Sequence, residues 1–210
     1  MKVSAACFQV IMLFGIAHCV CSAQDFSADV VLLDAKANAG SQNAETLAHD
    51  PSRLFVSDHK IRLEMGGPAG TVLLVNAAEG TAFAMFPAKK EYEPLSAGLS
   101  EYFRVSDAED ACPDWQKASA QKIDCEKLGH EVVNGRNTVT YRNKSASDVA
   151  ISTVWIDSDL KFVVRWVGGG TGAELRHIQA GKQAADLFAL APEYDIAKPK
   201  KGANKGFSNR

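Results

Sequence analysis

Four histidines follow residue 23, namely His49, His59, His130 and His177, and none stands at metal-ligand spacing from another. Asp157-Ser158-Asp159 opens like a calcium loop, but the glycine and glutamate that such a loop needs at its sixth and twelfth positions are missing. Gly168-Gly169-Gly170-Thr171-Gly172 has the glycines of a phosphate loop without the Gly-Lys-Ser/Thr that grips phosphate, and it joins strand to strand. The chain has no G-x-S-x-G elbow, and Asn143-Lys144-Ser145 is a glycosylation sequon with force only in a eukaryotic secretory host. Cys112 and Cys125 are too far apart for a C-x-x-C redox pair and have no histidine at ligand spacing. The expectation is therefore a protein with no catalytic residue, no metal and no cofactor.

What remains is apolar chemistry. Phe83, Met85, Tyr141, Trp155, Phe162, Val164 and Trp166 lie at alternating positions of several candidate strands. A curved sheet would turn such positions toward one concave surface. Strand alternation puts Phe162, Val164 and Trp166 on one side, opposite Lys161 and Arg165. This set either packs as ordinary core or lines a site for lipid, acyl chains or another apolar ligand, since ligand sites are concave and mostly apolar.

The chain that must position these residues has 210 of them, 46% hydrophobic and 23% charged, with a net charge of -2. That is room for one globular domain, and the balance is not the basic one of a nucleic-acid binder. Lys2 followed by an apolar run from Val3 to Val20, with Cys21 and Ala23 at small-residue positions, reads as a signal peptide over 1–23 cleaved before Gln24. No second long apolar stretch follows, so the expectation is an exported protein, periplasmic, with no membrane span after cleavage. Cleavage leaves only Cys112 and Cys125, and in an oxidising compartment these should form a disulfide that stabilises the fold by roughly 3 kcal/mol. The domain is expected over 24–196. Residues 197–210, with Lys198, Lys200, Lys201, Lys205 and Arg210, read as a basic disordered tail.

Within the domain most runs have period two. Phe26 to Leu33 reads as a strand, and 35–52 is polar without a period. Leu54–Ser57 and Ile61–Met65 make a hairpin around Asp58-His59-Lys60, Thr71–Val75 and Thr81–Phe86 follow, and Glu91–Leu95 is an edge strand because of Pro94. Leu95, Leu99, Tyr102 and Phe103 recur at helical spacing, and Ser106 with Glu109 has the form of a capping box, giving one helical island ended by Pro113. Asn134-Gly135 predicts a two-residue hairpin turn. Val149–Ile156 and Phe162–Val167 form a further hairpin, the glycine stretch leads to a strand at Glu174–Ile178, and Ala184, Leu187 and Phe188 suggest a closing helical turn. About ten strands with few helices predict a mainly β (α+β) fold: an unclosed, strongly curved antiparallel half-barrel with capping helices.

Cys125-Glu126-Lys127-Leu128-Gly129-His130-Glu131-Val132-Val133-Asn134-Gly135-Arg136, then Tyr141, Thr153-Val154-Trp155-Ile156-Asp157 and Val164-Arg165-Trp166, resemble the central and late strands of the bacterial periplasmic carriers that sort outer-membrane lipoproteins, and of a related uncharacterised domain group. The resemblance spans about Phe26 to Tyr194. It implies an unclosed antiparallel barrel capped by helices, an apolar cavity for lipid or lipoprotein acyl chains, and no catalytic residue. The chain departs from those carriers at its start, where a strand stands in place of their first helix. Two other functions fit the same residues: an envelope interaction or sensor domain with a filled core, and an enzyme acting on an apolar substrate, for which no nucleophile or metal set is visible.

Overall fold

A computed structural model describes residues 24–34, 52–67, 70–95, 102–119, 123–145 and 151–197. Residues 1–23, for which a signal peptide is expected, the polar stretch 35–51 with His49, most of the Leu95–Phe103 run and the residues from Lys198 onward lie outside the described residues. The strands are β1 (Phe26–Asp34), β2 (Ser52–Ser57), β3 (Lys60–Met65), β4 (Thr71–Asn76), β5 (Thr81–Phe86), β6 (Glu91–Leu95), β7 (Ile123–Val133), β8 (Arg136–Ser145), β9 (Ile151–Asp157), β10 (Phe162–Gly168), β11 (Thr171–Ala180) and the two-residue β12 (Asp195–Ile196). One helix, α1 (Cys112–Ala118), precedes β7.

All twelve strands belong to one sheet in the order β12-β6-β5-β4-β3-β2-β1-β11-β10-β9-β8-β7. Every pairing is antiparallel except the short β12–β6 contact. The sheet is unclosed and curved, as the alternating runs predict. Asn134, at the tip of the β7–β8 hairpin, donates from Nδ2 to the Leu175 carbonyl of β11, although β9 and β10 lie between β8 and β11. Only a strongly curled sheet brings those elements together.

The local chemistry of the turns accounts for the register. Asn134 and Gly135 have φ of 49° and 76°, the left-handed pair that a tight hairpin needs and that Asn-Gly supplies at least cost. Gly169 and Gly170, at φ 60° and 85°, do the same between β10 and β11, so the glycine stretch is a hairpin turn. On β2 and β3 the two faces separate cleanly. Leu54 and Val56, with Ile61 and Leu63 beside them, join the central cluster, whereas Phe55 faces the other way. There it packs with Val72, Leu74 and Met85 under Phe188, from the helical turn Ala185–Phe188.

Two expectations are corrected. Pro113 opens α1 instead of ending a helix, because the first turn needs no N–H from its second residue and proline's fixed φ fits there. The Ser106–Glu109 pattern does not open a helix either: both the backbone N–H and the hydroxyl of Ser106 donate to Asp114 of α1, at 2.6 and 2.8 Å. The residues before α1 run alongside β10, with the Val105 N–H on the Lys161 carbonyl and the Val163 N–H on the Phe103 carbonyl.

A disulfide joins Cys112, at the start of α1, to Cys125 on β7. Exchanging both cysteines for serine is expected to lower stability by about 3 kcal/mol, the loop-entropy value for this span, read from urea unfolding with midpoint and slope both fitted. A shift below 1 kcal/mol would mean that the contacts of α1 hold it without the bridge.

Candidate functional site

The seven residues singled out by alternation sit in three different clusters. Met85 is buried with Val72 and Leu74, and Phe83 packs edge-on against Tyr92 with ring centroids 5.5 Å apart. Tyr141 is buried below α1, donating its hydroxyl proton to the Ala108 carbonyl at 2.9 Å and accepting from the Ala111 N–H at 3.3 Å. Burial pushes its phenol up from the ordinary value. Phe162 and Val164 belong to the central cluster, with Phe162 edge-on to Phe26 at 5.1 Å. Trp155 is half-buried at its margin, donates from Nε1 to Glu131 at 2.9 Å, and lies under the Arg165 guanidinium at 4.8 Å.

Trp166 does not share the environment of Phe162 and Val164, which corrects the one-face reading. The β9–β10 register runs Val163 with Ile156 and then Arg165 with Trp155, so Val164 is an extra residue in the ladder. Such a bulge resets the alternation behind it. Trp166 therefore packs with Val163, Val154 and Tyr141 in the cluster beneath α1.

That displacement places Trp166 in a cleft of about 220 Å³. On one side stand Tyr102, Phe103 and Trp115, and on the sheet side Val154, Val163 and Trp166. Asn143 and Ser152 are the polar residues of the lining. They face each other across β8 and β9, two positions along from the Tyr141–Val154–Trp166 row, and hence share its face. Among the described residues the lining holds no carboxylate, imidazole, amine or thiol. It can seat and orient an apolar group, and the Ser152 hydroxyl of its sheet side donates to the Asn143 carbonyl.

The cleft owes its outer wall to residues 102–115, pinned at many points. Trp115 Nε1 donates to the Tyr102 carbonyl at 3.0 Å. Glu109 is held from β7 by Lys127 at 2.6 Å and by His130 at 2.9 Å. The Lys127 hydrogen bond, followed by that of His130, keeps the Glu109 carboxyl below the usual carboxylate range, and Glu109 in turn raises Lys127. Apart from Tyr102 and Phe103, which the helical spacing marked, the outer wall carried no local signal. Trp115 stands alone on a short helix, and Val154, Val163, Asn143 and Ser152 are ordinary strand residues in sequence until register brings them side by side.

The described histidines, His59, His130 and His177, stand apart from the cleft lining. His177 pairs with Asp29 at 2.8 Å and His59 with Asp58 at 3.5 Å, both exposed. Asp157 is enclosed, with Arg136 Nε and Nη2 donating to it, so the calcium-like triplet is a turn. Among the described residues no group of three or more His, Cys, Asp or Glu could hold a metal ion, and no helix is long and apolar enough to cross a membrane.

No family model matches the chain, and no curated protein matches it. Solved structures do share the fold. An uncharacterized conserved protein from Thermus thermophilus superposes with a TM-score of 0.52 at 8% identity, covering 84% of this chain and 91% of that one. PNGF-II superposes with a TM-score of 0.50 at 14% identity over 83% of this chain, which spans only 30% of that longer one. At these identities the likeness shows the fold alone.

Proposed function

We propose that this chain, exported to the periplasm and cleaved before Gln24, is a non-enzymatic binding protein of lipoprotein-carrier-like fold. Its cleft beneath residues 102–115 seats a lipid or lipoprotein acyl chain, or another apolar group. The observation that carries the reading is the cleft itself: aromatic rings from Tyr102, Phe103, Trp115 and Trp166 border an apolar volume whose lining, among the described residues, has no ionisable group except the Tyr102 phenol. A volume of 220 Å³ is below the 300–1,000 Å³ usual for a whole small-molecule ligand, so it takes one segment of a chain and leaves the rest outside. Of the seven residues that alternation marked, Trp166 is the one in contact with this volume.

A second reading, an envelope interaction or sensor module, is favoured by the close packing elsewhere: Phe26, Val56 and Leu160 of the central cluster are fully buried. Titration with the hydrocarbon fluorophore diphenylhexatriene separates the two. The carrier reading expects saturable uptake by the wild type and an affinity about tenfold lower for Trp166→Ala, the loss of one aromatic contact. Thermal unfolding of that variant should fall by less than the 3–5 kcal/mol of a fully enclosed tryptophan, because one side of Trp166 already borders open space. No uptake by the wild type, together with severe destabilisation of Trp166→Ala, would remove the carrier reading and leave the packed module.

A further inference from the structure

One row of side chains carries the apolar face of the cleft beyond its mouth. Tyr141 pairs with Val154 on β9, Val154 with Trp166 on β10, Trp166 with Ala173 on β11, and Ala173 with Leu32 on β1. Direct cross-strand partners stand on one side of a sheet, so these five residues share the face that lines the cleft. The row runs from a buried end to an exposed one. Tyr141 lies beneath α1 with Trp115 edge-on to it, whereas Leu32 is 71% exposed, and Phe103 of the cleft lining is 37% exposed. Val31 and Leu33, on the opposite side of β1, are buried. A lone exposed leucine needs no explanation. This one stands two strands from Trp166, roughly 10 Å away, with the buried methyl group of Ala173 between them.

A volume of 220 Å³ holds about seven methylene groups at roughly 30 Å³ apiece, the share of a water-sized group. Resting on the binding function proposed above, we infer that the ligand is a single acyl or alkyl chain longer than the cleft, seated with its methyl end toward Trp115 and running out across Trp166 and Ala173 to lie on Leu32. Burial sets the direction. The inner end is enclosed by Trp115 and Tyr141, where a strongly hydrated head would lose its water, and the Leu32 end faces solvent. Leu32 is then a residue that selects for chain length: a chain that fits within the cleft does not reach it, and a longer one covers it.

The test is a series of straight-chain alcohols competing with bound diphenylhexatriene, on wild type and on Leu32→Ser, an exposed substitution that the fold tolerates. Up to octanol, affinity is expected to rise about fourfold per methylene, the value for full burial, and equally in both proteins. From octanol to tetradecanol the wild type should go on rising at about twofold per methylene, since a chain on an open face buries only one side. Leu32→Ser should weaken tetradecanol about fivefold and leave octanol within about twofold of the wild type. A wild-type plateau at octanol would overturn the inference while leaving apolar binding intact. A continued rise that survives undiminished in Leu32→Ser would overturn it too, because the chain would then leave the cleft by another route. So would equal losses for octanol and tetradecanol, since Leu32 would then act on the cleft itself. A wild type that takes up neither the fluorophore nor any alcohol removes the binding function and this inference together.

Discussion

Trp115→Ala is expected to cost about 3–5 kcal/mol of stability, the range for truncating an enclosed tryptophan, and to lower the unfolding temperature by on the order of 10 °C. The indole is 1% exposed and meets Tyr141 edge-on, centroids 5.4 Å apart. Its Nε1 proton also ties α1 to the Tyr102 carbonyl, so the substitution removes packing and leaves that carbonyl short of a donor. Trp115→Phe, which keeps most of the apolar surface but loses the hydrogen bond and part of the ring volume, should cost less, about 2 kcal/mol. Denaturant unfolding of the three proteins decides the matter. A cost for Trp115→Ala near that of Trp115→Phe would mean that α1 already packs loosely on the sheet. The same variant should also widen the cleft, since the indole forms part of its outer wall.

The sheet was legible because its cues are local. Asn134-Gly135 announces its turn in two residues, and Ile61 and Leu63 against Arg62 and Glu64 announce two faces in four. The bulge at Val164 was not legible: an extra residue leaves the pattern of Phe162 to Trp166 unchanged and shows only in the partner strand's register. That one residue moved Trp166 away from Phe162 and toward the cleft. Pro113 was ambiguous for a related reason, since proline both ends helices and opens them, and the packing of Trp115 beneath Tyr102 decides which. The cleft as a whole depends on residues 102–115 meeting strands that begin some forty residues later. No window of sequence contains both sides.

The Asp157 carboxylate illustrates how a residue that resembles a ligand-binding motif can instead organise the fold. It is 1% exposed, and Arg136 grips it through Nε and Nη2. Its Oδ1 also accepts the backbone N–H of Asp159 at 3.0 Å and of Leu160 at 2.9 Å. The carboxylate therefore closes the turn between β9 and β10 and sets Leu160, fully buried, into the central cluster beside Phe162. The hydrogen bond to Asp157 holds Arg136 above its ordinary pKa, so the guanidinium keeps its charge throughout the folded range. Asp157→Ala removes all of these acceptors at once and strands both the guanidinium and the buried Leu160 N–H. Breaking an enclosed pair in this way costs about 3–5 kcal/mol; Arg136 is 27% exposed and can recover some hydration, which puts the expectation at about 3 kcal/mol. Asp157→Asn keeps one oxygen for the two backbone donors and should cost less than half as much. Equal losses for the two variants would show that the charge on Asp157 matters and its caps do not, and a loss below 1 kcal/mol for Asp157→Ala would show that the turn forms without it.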